Sequence, residues 1–99
     1  MDRLQSHLDT TSESYRTNRQ RMQALVDDYR ARLEQVRQGG GARYLARHRE
    51  QGKMPVRERI DALLDPGSFH EIGGLTGRGT YDEGELTALT PANFVMGRG

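Results

Sequence analysis

Gly52-Lys53-Met54-Pro55-Val56-Arg57-Glu58-Arg59-Ile60-Asp61-Ala62-Leu63-Leu64-Asp65-Pro66-Gly67-Ser68-Phe69 is the stretch on which the reading of this chain turns. A glycine at its head suits the left-handed C′ position after a helix. Pro55, with its fixed φ and no N–H to lose, suits a first helical turn. Val56, Ile60, Leu63 and Leu64 recur at i, i+4, i+7 and i+8, so one apolar face runs along a helix over about 55–64. Asp65-Pro66-Gly67-Ser68 stops that helix with a turn, and Phe69 opens a short apolar run to Ile72.

Upstream, Tyr15, Met22, Leu25, Val26, Tyr29, Leu33 and Val36 fall three or four apart from Met22 onward, which predicts an amphipathic helix over about 14–38. A stripe this narrow is packing surface, so the helix is expected to lie on a larger body. Gly39-Gly40-Gly41 ends it, because continuing a helix through three residues without a Cβ is entropically costly. A second short helix follows over about 42–51, anchored by Tyr44 and Leu45. Residues 1–13 are polar and read as a disordered lead-in, with Thr10-Thr11-Ser12 supplying cap or turn chemistry.

Downstream the character changes, since eight of the twelve glycines fall between Gly67 and Gly99. The apolar runs Phe69 to Ile72 and Phe94 to Met96 read as short strands. The glycine-rich stretch between them is too long for a hairpin connection, and the strand beginning at Val95 has no partner after it, so the expectation is an interrupted fold. The fold class is α+β: three N-terminal helices, then short strands and Gly-rich loops.

A chain of 99 residues with 33% apolar residues and a mean hydropathy of -0.88 has a thin core. It has no cysteine, and His7, His48 and His70 are far apart in sequence, so neither a disulfide nor a structural metal is expected to brace it. The net charge of +1 argues against a global field for nucleic acid or a membrane surface. No segment approaches a membrane span, the first residues lack the apolar core of a secretory signal, and a cytoplasmic protein is expected.

Local charge is more informative. Arg43, Arg47, Arg49, Lys53, Arg57 and Arg59 stand against Glu50 and Glu58 around the turn at Gly52, a local charge of +4. Arginine grips phosphate oxygens bidentately and lysine acts as a point charge. The alternative is that these cations only solvate two helices or pair with Glu50, Glu58 and Asp61 at helical spacing. Asp65 and Ser68 read as turn formers, His48 reads as a surface or packing histidine with a phosphate bridge as the alternative, and His70 has no metal partner at useful spacing and is assigned no role. Tyr44 is the one aromatic residue in the basic stretch, which disfavours nucleic acid.

The order of these features, a long helix, Gly39-Gly40-Gly41, a basic helix with His48, then the Gly52 to Phe69 stretch quoted above, resembles the N-terminal signature of the carboxyltransferase (beta) subunits of biotin-dependent acyl-CoA carboxylases. The resemblance runs over about residues 18–72 and is nearest to the methylcrotonyl-CoA carboxylase type. Beyond Gly73 the sequence departs from the family pattern, keeping Val95-Met96-Gly97-Arg98-Gly99 but carrying Thr90-Pro91-Ala92-Asn93-Phe94 where small residues are usual. The resemblance implies that 14–99 is the incomplete N-terminal part of a crotonase-like carboxyltransferase N domain. It implies transfer of CO2 from carboxybiotin to the α-carbon of an acyl-CoA, with biotin borne on a separate carrier protein or subunit and no metal in this segment. Implied partners are the remainder of the subunit, a biotin carboxylase or carrier subunit, and further copies in a homo-oligomer, with neither nucleic acid nor membrane. The oxyanion-hole glycines of the family lie beyond this chain, so no catalytic residue is assigned and the 99 residues alone are expected to be inactive. Lys53, Arg57, Arg59 and Arg47 are the candidate contacts to the CoA phosphates. Alternative readings are a biotin-dependent acyl-CoA decarboxylase subunit and a helical protein-interaction module.

Overall fold

The computed structural model describes residues 3–99. Helix α1 (Glu13–Arg37) starts where the polar lead-in closes a turn. The Asp9 carboxylate accepts from the Thr11 hydroxyl at 2.6 Å and the Thr11 N–H at 2.9 Å. Ser12 Oγ accepts from the N–H of Tyr15 at 3.2 Å, which makes Ser12 the N-cap. The hydrogen bonds from Thr11 hold the Asp9 carboxyl below its ordinary range.

Helix α2 (Ala42–Glu50) follows the glycine triplet, and its end is closed by backbone geometry alone. Gly52 takes a φ of 72°, its N–H reaches the Arg49 carbonyl at 2.8 Å, and the Lys53 N–H reaches the His48 carbonyl at 3.1 Å. This is a Schellman closure, which a residue with a Cβ enters only under strain. Helix α3 (Val56–Leu63) begins just after Pro55, which is the cap and not the first helical residue. Each helix boundary lies within one residue of the sequence expectation. The Asp65-Pro66-Gly67-Ser68 turn closes through the Ser68 N–H and the Asp65 carbonyl at 3.0 Å, with Gly67 at a φ of 77°.

The glycine-rich region differs from its expectation. It contains strand β2 (Gly77–Asp82) and strand β3 (Glu85–Pro91), joined as an antiparallel hairpin. Glu83 and Gly84 both have positive φ, 47° and 86°, the geometry of the two-residue turn whose twist matches a hairpin. Thr87 is an extra residue between the Thr80↔Ala88 and Tyr81↔Leu86 pairs, and its hydroxyl donates to the Thr80 carbonyl at 3.1 Å. The run between the outer strands is therefore an inserted hairpin and not a long loop. Strand β4 (Met96–Arg98) also has a partner, and it lies upstream: β1 (His70–Ile72) pairs with it antiparallel, His70 opposite Arg98 and Ile72 opposite Met96.

Two compact units result, Met1–Ala31 and Arg32–Gly99. Val36, 7% exposed, is the one buried hydrophobic side chain among the described residues, and Pro55 is buried as well. The thin core that the composition implied is what the fold contains.

Candidate functional site

Within Arg32–Gly99, the end of α1, the starts of α2 and α3, β1 and the segment leading into β4 surround a cleft of about 540 Å³. Its apolar lining includes Val36, Leu45, Val56, Phe94 and Val95, its charged lining is Arg37, Arg57, Arg59 and Glu71, and His48 lines it too. The helical period places Val56 and Ile60 on one face of α3 and leaves Arg57 beside it, where it meets β1. There Arg57 donates through both terminal nitrogens to the two carboxylate oxygens of Glu71, each at 2.8 Å. The pair is largely shielded, at 26% and 20% side-chain exposure. Hydrogen bonding to Arg57 lowers the Glu71 pKa, and the same bond raises that of Arg57.

The four candidate phosphate contacts are not gathered at one point. Arg57 and Arg59 line the cleft, whereas Arg47 and Lys53 do not. Lys53 donates to the Gln51 side-chain oxygen at 3.0 Å from the turn after α2. Arg47 and Arg59 are exposed, and neither has a carboxylate partner among the described residues. Arg49 pairs with Glu58, nine residues away, on an exposed surface where such a pair contributes little. Neutralisation therefore comes across elements and not at helical spacing. It takes Arg49 and Arg57 out of the basic set and leaves Arg43, Arg47, Lys53 and Arg59.

Glu71 was not anticipated as part of this site. It lies fourteen residues from Arg57, and no local period connects them. Arg37, at the end of α1, also lines the cleft. Gly73-Gly74 lies in a turn closed by the Thr76 N–H on the Gly73 carbonyl at 2.8 Å, and it leads into β2 and not into a helix. Among the described residues no group of three or more His, Cys, Asp or Glu is placed to hold a metal ion. No described helix is long and apolar enough to cross a membrane.

The site is a cleft with an apolar and charged lining on a short α+β scaffold, and comparison with known proteins places the chain. The chain is 43% identical over 81 residues to the "Probable methylcrotonoyl-CoA carboxylase beta chain, mitochondrial" of Drosophila melanogaster, covering 81% of this chain and 14% of that protein. It is 36% identical over 94 residues to the methylcrotonoyl-CoA carboxylase beta chain of Arabidopsis thaliana, covering 89% and 16%. It is 37% identical over 79 residues to the methylmalonyl-CoA carboxyltransferase 12S subunit of Propionibacterium freudenreichii, covering 79% and 15%. No family model matches the chain, and no solved structure matches it. The chain belongs with the carboxyltransferase beta subunits of biotin-dependent acyl-CoA carboxylases, and it spans 14–16% of the length of the three relatives named here.

Proposed function

We propose that this chain is a scaffold and ligand-contact segment of an acyl-CoA carboxyltransferase. In that reaction carboxybiotin, presented on a carrier protein or subunit, supplies CO2 and the α-carbon of an acyl-CoA accepts it. The observation that carries the reading is the 43% identity over 81 residues to a beta chain. Relatives named for methylcrotonyl-, methylmalonyl- and propionyl-CoA all match, so the acyl group is left open and the shared CoA portion is the natural target. The crotonase-like N domain, the biotin-carrying partner, the homo-oligomer and the cytoplasmic location belong to this proposal.

Within the segment, phosphate contact falls to Arg47, Lys53 and Arg59, because Arg57 holds Glu71 with both terminal nitrogens. Arg57 then acts through Glu71 by joining α3 to β1 and setting the wall from which Arg59 projects. No residue here is assigned to biotin or to enolate stabilisation, so the 99 residues alone have no transferase activity in this reading.

The test is a chimera in which this chain replaces the matched 81-residue stretch of the Drosophila beta chain. Carboxyl transfer within about tenfold of the parent is expected, a loss of under about 1.4 kcal/mol in transition-state stabilisation. An assembled chimera without transfer would overturn the assignment. In an active chimera, Lys53→Ala with Arg59→Ala should raise KM for acyl-CoA at nearly constant kcat, as removal of uniform binding does. The effect should shrink with the 3′-dephospho substrate, and an unchanged KM removes the phosphate role while leaving the family assignment standing.

A further inference from the structure

The charges that line the cleft in Arg32–Gly99 do not balance. Among the described residues the lining holds three arginines, Arg37, Arg57 and Arg59, and one carboxylate, Glu71. Arg57 takes both oxygens of that carboxylate, so these two charges cancel. Arg59 has no carboxylate partner among the described residues. Arg37, the last residue of α1, has Glu34 at 3.7 Å, with the two side chains 56% and 66% exposed. That distance is too long for a hydrogen bond, and Glu34 does not line the cleft. After the hydrogen bonds from Arg57, the charge of Arg37 also lowers the Glu71 pKa, which sets the Arg37 guanidinium near the same wall.

Whatever occupies the cleft has to answer these two guanidinium groups, because covering an unpaired cation with apolar surface is strongly unfavourable. A purely apolar occupant is therefore excluded. The planar fork of arginine matches phosphate oxygens in pairs. Tyr44 and Phe94 line the same cleft and stay 66% and 55% exposed, which leaves aromatic surface for a flat ring. Its volume of about 540 Å³ lies within the range of small-ligand sites.

We propose that the cleft binds the nucleotide end of CoA, with the phosphates held by Arg37 and Arg59 and the adenine ring against the aromatic lining. The inference rests on the carboxyltransferase reading and sharpens it: of the phosphate contacts assigned there, Arg59 alone lines the cleft, and Arg37 is an additional one.

The full 99-residue chain is titrated calorimetrically with adenosine 3′,5′-bisphosphate. Binding should be one to one and should weaken about tenfold in Arg37→Ala and in Arg59→Ala, the scale of a hydrogen bond to a charged group. Arg37→Lys keeps the charge and should recover part of the loss. Arg43→Ala removes the same charge outside the cleft and should leave the affinity unaltered. Adenosine should bind more weakly, equally to wild type and Arg37→Ala, and less to Phe94→Ala. Absence of bisphosphate binding overturns the proposal. So does an equal loss in Arg43→Ala, which marks diffuse charge attraction only, or adenosine binding that ignores Phe94→Ala. If Arg37→Ala loses helix content by circular dichroism, Arg37→Gln decides on the same criterion. In the Drosophila chimera, Arg37→Ala should raise KM for acyl-CoA at constant kcat and unchanged melting temperature. A lower melting temperature at unchanged KM would mean that a carboxylate of the surrounding subunit answers Arg37, and it overturns the proposal. An assembled chimera without transfer, beside intact bisphosphate binding through Arg37, would remove the carboxyltransferase reading and leave the nucleotide site, so the two fail separately.

Discussion

Arg32–Gly99 closes on itself through two strand pairings, helix ends sealed by backbone geometry and a shielded guanidinium–carboxylate pair. Met1–Ala31 has a capping turn and a helix on which Met22, Leu25 and Tyr29 stay exposed. Both are built from similarly polar sequence, so hydrophobic content does not separate them. What separates them is directional: close approaches that only particular residues permit, and charges placed to meet one another across elements. A thin-cored segment can hold a defined shape in this way, while a helix with the same kind of apolar stripe gains little burial within its own unit.

The comparison is broken most forcefully at Gly97. A Cβ there would fall against the Phe69 ring and within 2.5 Å of the His70 carbonyl oxygen, so β4 lies where it does because position 97 has no side chain. Gly97→Ala should cost about 3 kcal/mol, the upper end for overpacking, since the obstacle includes backbone. Amide exchange should quicken in β1 and β4 and stay unchanged in α1 before Ala31. Retained protection across β1 and β4 would mean that close approach at position 97 is not what holds the pair.

The helices were legible because period and punctuation agree over many residues: Val56 to Leu64 with Pro55 before and Asp65-Pro66-Gly67 after leave little choice. The hairpin was not. Gly77, Gly79 and Gly84 are loop marks by local preference, and only cross-strand pairing, with Glu83 and Gly84 turned to positive φ, makes them strand and turn. Thr80-Tyr81 and Leu86-Thr87 around Asp82-Glu83-Gly84 carried the missed signal, two short β-favouring runs about a turn that ends in glycine. For the site, the basic stretch was legible as charge but its spending was not. That Arg57 goes to Glu71 and Arg49 to Glu58 is a matter of tertiary geometry, and it makes Arg57, one of the four phosphate candidates, a tie between α3 and β1.

That tie gives the next break. Glu71→Gln keeps the shape of the side chain and removes its charge, and at neutral pH it should destabilise Arg32–Gly99 by about 2 kcal/mol, the scale of hydrogen bonds to charged groups. The bond from Arg57 holds the Glu71 carboxyl below its ordinary value of 4.5. As pH falls the unfolded chain therefore takes up this proton before the folded one does. The stabilisation is whole above about pH 4.5 and is lost as pH drops through the lower folded value. Denaturant unfolding at pH 7 and pH 3 should show the wild type and the variant converging in acid; a constant gap between them would mean that the ion pair is not its source.

The smallest effect separates an open face from a packed one. Val36 and Met22 lie on the same seam of the same helix, yet Val36 is 7% exposed and Met22 60%. Met22→Ser should change the stability of the 99-residue chain by under about 0.5 kcal/mol, as surface substitutions away from special features do, while Val36→Ala should cost clearly more because it removes methyl groups from a buried position. Matched denaturation curves for the two variants make the comparison quantitative. A large loss at Met22 would show that the chain already covers this face and that Met22 belongs to the core.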